Sequence, residues 1–378
     1  MKTGFDAKRI FHNFTGLGNY SRTLVHHLVD LYPGESWHLF TPSVSDHPRA
    51  VPFLSDRRLS VHLPEKGKWL WRSWRMKDAL QKNQIDIYHG LSHEIPFGMG
   101  KNPGFKTVVT IHDLIFKIFP EQYRLPDRLI YDQKFSYSCR HADRIIATSE
   151  QTKDDIIRFY QIPPEKISVI YQSCDPMFYT QRDSSETTRI LGKYGFPAEY
   201  ILYVGSVIPR KNLLTLVMAL GRIKENHRIP LVVIGKGGKY KQQILRYIHQ
   251  HGLEKWVILA NDIFYPDLPV IYQAASVFVF PSIYEGFGIP VIEALAGRVP
   301  VITSDRASLP EAAGPDSICL DPMDVDLLAF HIRKVLEDRQ LSNQMREKGV
   351  RYASRFHFST VTPQVMELYR ELYSGKTL

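Results

Sequence analysis

"SVFVFPSIYEGFGIPVIEALAG", residues 276–297, holds three local structures in one stretch. The apolar run ending at Ser282 reads as a strand buried on both faces, "IYEGFG" as a glycine loop, and Pro290 suits the first turn of a helix that Gly297 ends. Strand, loop and helix in that order form the front of a βαβ unit. The amides of Gly286, Phe287, Gly288 and Ile289 then stand at the helix start, where unpaired N–H groups and the helix dipole favour an anion. Glu285 and Glu293 flank them and would repel a phosphate at short range. If the loop holds a diphosphate, those carboxylates are expected to accept O–H bonds from the rest of the ligand, Glu285 from a sugar and Glu293 from a ribose. The arrangement describes a nucleoside diphosphate sugar. The plain alternative leaves Glu293 complementing a helix dipole and Glu285 in a solvated turn.

The same alternation runs through the chain. Short β-branched runs occur at "HLF" (38–40), "IDIYH" (85–89), "TVVTIH" (107–112), "RIIATS" (144–149) and "ISVIY" (167–171), with helical patterns between many of them. After the polar stretch "YTQRDSSETTR" (179–189) it resumes with "YILYVG" (200–205), "PLVVIG" (230–235), "WVILA" (256–260), the opening stretch and "VPVITS" (299–304). Such alternation predicts α/β architecture with parallel sheets covered on both faces. Two series predict two Rossmann-like domains, 1–178 and 179–358, joined by a hinge near 176–195. A terminal helix from 359 to the chain end presents Val365, Leu368, Tyr369 and Leu372 on one face and is free to dock on either domain.

Composition bounds the reading. With 378 residues, 44% hydrophobic and 23% charged, the chain is long enough for two cores. Its three cysteines, Cys139, Cys174 and Cys319, form no CxxC pair, which argues against a disulfide framework or a zinc site and fits a reducing cytoplasm. The N-terminus has no apolar core of a signal peptide, and no apolar run is long enough to span a bilayer. Forty-eight Lys and Arg against 39 Asp and Glu leave a net charge of +9, which attracts anionic partners without choosing among them.

"EGFGIPVIE" (285–293) matches over its full length the E-x7-E signature of the retaining glycosyltransferases of the GT-B fold, family 4. The resemblance extends further: "YVGSVIPRKNL" (203–213) is similar to the family's diphosphate-binding strand and loop, "TGLGNYSRTL" (15–24) to its N-terminal glycine loop and "TIHDL" (110–114) to its active-site histidine strand. It implies two Rossmann-like domains facing each other across a cleft, donor binding in the second, acceptor binding mainly in the first, and transfer between them. It also implies a metal-free mechanism without a cofactor, the nucleotide sugar being a substrate. No DxD pair at a strand end competes with that view, because "DVD" (324–326) reads as a helix N-cap. Retention would proceed on a single face, with the leaving phosphate helping to deprotonate the acceptor hydroxyl.

The candidate residues follow. Arg210 and Lys211, after a strand, are placed to neutralise a departing diphosphate, with Gly205 in the same loop. Their alternative is ordinary surface charge. For Gly16 and Gly18 the resemblance implies a flexible loop at the cleft with its amides near the transferred sugar or phosphate, and the plain alternative is a simple turn preceding a helix over 19–31; Ser21 replaces the third glycine of a dinucleotide fingerprint, which disfavours a dehydrogenase. His112 closes a strand run at the carboxyl edge, where ligands bind in open α/β sheets, which favours function over packing; the resemblance implies that it bonds a hydroxyl of the transferred sugar or helps order the acceptor. Asp113 either orients it or caps the next turn. Ile263, in "ANDIFYPDL" (260–268), is expected to contribute main-chain contacts to the nucleotide base. Catalysis is assigned to His112, Glu285, Arg210 and Lys211.

The expected donor is GDP-mannose, with a UDP-hexose next, because the glycine loop and "HDL" look most like bacterial mannosyltransferases of polysaccharide assembly. The acceptor is a glycan or lipid-linked glycan, and the location the cytoplasm or the inner face of the cell membrane. "EKGKWLWRSWRMKDAL" (65–80) interleaves Lys66, Lys68, Arg72, Arg75 and Lys77 with Trp69, Trp71 and Trp74; it reads equally as a helix on anionic headgroups or as tryptophans packed on the sheet with solvated cations. Two rival classes are a nucleotide-sugar epimerase of the same fold and a nucleic-acid-binding protein. Nucleic acid is not an expected partner, since it leaves the paired glutamates idle.

Overall fold

The computed structural model describes residues 1–65, 67, 70–99 and 103–375. Two compact units form: Met1–Cys174 with the segment from Phe358 onward, and Asp175–His357. The division falls four residues before the sequence-based boundary. Asp175 accepts the Met177 N–H and caps a turn whose Phe178 is buried edge-on against Tyr272 and Tyr265, so those residues belong to the second core.

Seven parallel strands build the first unit: β1 (Lys2–Asp6), β2 (Ser36–Phe40), β3 (Leu59–His62), β4 (Ile87–Gly90), β5 (Lys106–Ile111), β6 (Arg144–Ala147) and β7 (Ile167–Val169), in the order 3-2-1-4-5-6-7. Six parallel strands build the second: β8 (Ile201–Val204), β9 (Leu231–Ile234), β10 (Val257–Ala260), β11 (Val277–Phe280), β12 (Val301–Ser304) and β13 (Ile318–Leu320), in the order 10-9-8-11-12-13. Central strands are apolar along both faces because helices cover both, as "VFVF" of β11 shows with all four residues buried. β3 and β13, edge strands that are only partly buried, are not among the apolar runs read from the sequence.

Strand order reverses between β1 and β4 and again between β8 and β11. Connections leave opposite ways at such a point, which opens a crevice beyond the carboxyl ends of the two strands. In the first unit the crevice is edged by the segments after Asp6 and Gly90, in the second by those after Val204 and Phe280.

One local expectation is corrected, and two segments gain detail. Gly16 and Gly18 are not in a flexible loop: they open the helix Gly16–Leu31, three residues earlier than the pattern suggests. Asn13 Oδ1 accepts the N–H groups of Thr15 (3.0 Å) and Gly18 (3.2 Å) and so replaces the missing cap. The polar joint forms the helix Ser184–Tyr194, started by Asp183 accepting from Glu186 N–H at 2.7 Å and stopped by left-handed Gly195. In 65–80, Trp71–Arg75 form a π-helical turn followed by the helix Met76–Lys82. Trp71 is buried and Arg72 is drawn inward onto Asp6 and Glu94, whereas Trp74 is 57% exposed, so no continuous basic and aromatic face exists among the described residues. Lys66, Lys68 and Trp69 lie outside the described residues.

The terminal helix Phe358–Ser374 packs on the helix Gly16–Leu31, with Val365, Leu368 and Tyr369 buried among Phe5, Val25 and Leu28, and Leu372 half-buried beside them. Residues 376–378 lie outside the described part.

The glycines of the 16–31 helix make a test. A Cβ on Gly18 would lie 1.7 Å from the Asn13 carbonyl oxygen, whereas one on Gly16 meets nothing within 4 Å. Gly18→Ala is expected to lower stability by about 1 to 3 kcal/mol through that overlap, and Gly16→Ala to leave it unchanged or raise it, as read by urea denaturation.

Candidate active site

In the second unit, β8 runs into Gly205, then a turn Pro209–Lys211, and β11 runs into the loop 281–288. Gly205 has φ +159, so its backbone is extended, and a Cβ there would press on Lys211 Cδ and Phe280 at 3.3 Å. The two segments are stitched together: Ile283 N–H donates to the Arg210 carbonyl at 2.8 Å, and the Arg210 guanidinium donates to the Tyr284 carbonyl. Tyr203, fully buried, reaches the Ser206 and Lys211 carbonyls at 3.4 Å.

Glu285 faces inward. Its Oε1 lies 3.0 Å from Arg210 NH1 and 3.2 Å from Lys211 Nζ, and accepts from Ser282 Oγ at 2.8 Å. Burial raises the pKa of this carboxyl, but the charges of Lys211 and Arg210 and the bond from Ser282 outweigh it and hold it below the ordinary 4.5. Lys211 Nζ also stands 4.9 Å over the Phe280 ring. The three residues thus form one nearly dry charge group with a surplus of one positive charge.

The helix Ile289–Ala296 starts at Gly288, which has φ +130 and no side chain to occupy the amides of the first turn. Pro290 follows and has no N–H to satisfy. Ser308 Oγ reaches both the Glu285 and Phe287 carbonyls at 2.8 and 2.9 Å, which pins the loop around Gly286, and Phe287 is buried edge-on to Phe356. Glu293 is buried, and its Oε2 accepts from Tyr272 OH at 2.8 Å. Ile263 is half-buried in the loop after β10, beside Phe264, whose N–H donates to Tyr194 OH at 3.1 Å. Asp324 of "DVD" accepts from Leu327 N–H and caps the helix Val325–Glu337.

The first unit presents a different chemistry. His112 follows β5, but it is buried and both ring nitrogens are engaged: Nε2 donates to the Leu91 carbonyl at 2.9 Å, and Nδ1 accepts from the Gln172 amide. Burial pushes its pKa down to about 4, so the ring is neutral near pH 7. In this structure the ring braces the loop after β4. Asp113 accepts from the Ile115 N–H at 3.0 Å, a turn-capping bond. Sequence reasoning passed over His93, Gln172, Thr110 and His89. His89, at the end of "IDIYH", bonds Thr110 Oγ1 at 2.8 Å and Tyr369 OH of the terminal helix, while Thr110 meets Tyr20 OH at 3.0 Å. The signal for His93 was present: "GLSHE" leaves a recognised strand at its carboxyl end, as "HDL" does.

Each sheet reverses its strand order once, and the reversal in the second brings a carboxylate and two cations together. The comparisons narrow this. A family model described as "Glycosyl transferases group 1" matches residues 186–352, and one described as "Glycosyltransferase Family 4" matches 14–177. The chain is 30% identical to the O-antigen chain mannosyltransferase B of Escherichia coli, over 98% of this chain and 100% of that one. Among solved structures, sucrose-phosphate synthase from Thermosynechococcus elongatus matches with a TM-score of 0.79 at 21% identity over 100% of both chains. Anabaena HepE, in complex with UDP, matches with a TM-score of 0.75 at 18% identity over 98% of this chain and 100% of that one. The chain belongs to the family 4 glycosyltransferases of the GT-B fold. It is an enzyme of the hexosyltransferase kind. Among the described residues no helix is long and apolar enough to cross a membrane.

Glu285→Gln should strip the neutralising charge from Arg210 and Lys211. Without nucleotide the variant is expected to lose about 3 kcal/mol, and a nucleoside diphosphate to raise its melting temperature more than it raises that of wild type. A carboxylate held below its ordinary pKa stabilises fully above that ordinary value and ceases to as pH falls through the lowered one. The stability gap between wild type and variant should therefore be full above pH 4.5 and narrow as pH falls through the lowered pKa, measured by thermal melts across pH.

Proposed function

We propose that this enzyme transfers mannose from a nucleoside diphosphate mannose, GDP-mannose first, to a glycan or lipid-linked glycan acceptor in cell-surface polysaccharide synthesis. What carries the reading is the Glu285, Arg210 and Lys211 group at the β8/β11 crevice. Two cations on a glycine-lined loop suit a diphosphate, and a carboxylate that already accepts several bonds suits a sugar hydroxyl. The mannosyl choice draws on the full-length similarity to an O-antigen mannosyltransferase.

In this reading the diphosphate draws Arg210 and Lys211 toward itself, and Glu285 exchanges part of its ion pairing for a hydroxyl of the transferred sugar. Gly288 and Ile289 offer the phosphate their amides, Gly205 clears its approach, and Glu293 holds the ribose alongside Tyr272. Ile263 borders the base. The charge that builds on the leaving diphosphate is met by the two cations, so the mechanism is metal-independent in this proposal. Catalysis is chiefly electrostatic and positional, and the anomeric configuration is retained by reaction on one face.

The acceptor belongs to the crevice of the first sheet in this proposal. The enzyme works in the cytoplasm at the inner membrane face, where, among the described residues of 65–80, the exposed ring of Trp74 beside Arg75 offers a contact.

A panel of UDP-, GDP-, ADP- and dTDP-sugars tests the donor: the cognate one raises the melting temperature through linkage. Arg210→Ala and Lys211→Ala are each expected to lower transfer by roughly 100-fold or more, followed by chromatographic release of nucleoside diphosphate. A donor that is epimerised with no acceptor added, seen by NMR, would sink the transferase reading.

A further inference from the structure

We infer that His93 Nε2 donates a hydrogen bond to a hydroxyl oxygen of the glycan acceptor, making His93 an acceptor-binding residue of the first unit. The inference rests on the transferase reading above and adds the residue that touches the acceptor.

His93 stands beyond β4, on the strand-order reversal of the first sheet. It is held there against its backbone preference: φ is 64°, a left-handed conformation that is strained for a non-glycine residue and persists only where the surroundings impose it. They impose it here. A Cβ on Gly90 would lie 2.1 Å from the Glu94 carbonyl oxygen, so the loop folds back on itself over a glycine. His93 N–H donates to the Thr110 carbonyl at 2.8 Å, and Ile95 N–H to Ser138 Oγ at 3.0 Å. Glu94 is clamped by Arg72 and Lys134, each at 2.9 Å. Leu91, on the other side, accepts from His112.

The ring is as constrained as the backbone. It stacks on Phe135 at 4.3 Å with 2° between planes and lies edge-on to His112 at 5.0 Å. Nδ1 accepts the His112 backbone N–H at 3.4 Å, so in the neutral ring the proton is on Nε2. Burial, reinforced by His112, Arg9 and Arg72, holds the pKa well below 6.5 and keeps the ring neutral. His93 is only 6% exposed, yet among the described residues Nε2 has no partner and is not among the enclosed unsatisfied atoms. A buried ring fixed on both faces of its chemistry, with one N–H left over at the crevice, is a preorganised donor. Because Nε2 carries the proton, His93 orients the hydroxyl oxygen and is not the base that deprotonates it.

The test uses the full chain, GDP-mannose and a panel of synthetic alkyl α-mannosides. His93→Asn keeps an acceptor near Nδ1 and tolerates the left-handed backbone, but removes the Nε2 donor; His93→Gln returns an amide N–H toward that position. Gln84 and Gln161 already adopt φ 53° and 55° in this chain. The asparagine variant is expected to lose roughly tenfold or more in kcat/KM for acceptor, with donor KM and melting temperature near wild type, and the glutamine variant to recover most of the loss. Unchanged acceptor kinetics in the asparagine variant overturn the inference alone. So does a fall in melting temperature and in donor affinity shared by both variants, which makes His93 structural. Wild-type protein that transfers nothing to the panel from GDP-mannose or UDP-glucose overturns the transferase reading and this inference with it.

Discussion

Glu285 lies on Arg210 and Lys211 with little water around it, and this pairing sets how much positive charge the second crevice offers. A buried carboxylate is tolerated only when its charge is answered, and two buried cations only when most of theirs is. The three side chains come from two loops whose backbones are bonded to each other through Ile283, Arg210 and Tyr284. The loops meet because β8 and β11 are neighbours across a reversal of strand order. Charge, loop path and sheet topology are thus one constraint: an error in any of them leaves an ion without its partner.

The first unit solves a different problem with neutral groups. Burial keeps His89, His93 and His112 uncharged, which lets them act as hydrogen-bonding spacers between strands instead of repelling one another. His89 ties Thr110 of β5 to Tyr369 of the terminal helix. The last helix of the chain is therefore bonded into the carboxyl-side framework of the first sheet, although nearly 200 residues separate it from β7. That explains why it is counted with the first unit and why its buried face carries a tyrosine.

Much of this was legible beforehand. Apolar runs located most strands of both sheets, because strands covered on both faces have no polar side to show, although β1, "KTGFD", carries no such run. "EGFGIPVIE" located the carboxylate, the loop and the helix start, and "PRK" the cations. Less legible were features that rest on distant partners. Arg72 reads as a surface cation until Asp6 and Glu94 arrive beside it, and Trp71 as a membrane anchor until the sheet buries it. Gly18 reads as loop flexibility, whereas its lack of a Cβ admits the Asn13 carbonyl.

The amino-acid order by itself determined the two-sheet α/β class, the place of the glycine loop and the types of residue that line it. Those follow from hydrophobic periodicity, glycine and proline positions and local charge, all of which act over a few neighbouring residues. Only the tertiary structure decided which groups face one another: that Glu285 meets cations, that His112 spends both nitrogens on Leu91 and Gln172, and that His93 keeps one N–H in hand. Hydrogen-bond partnership among buried groups depends on residues 20, 60 or 280 positions apart in the chain. Local patterns carry no information about such pairings until the strands are set side by side.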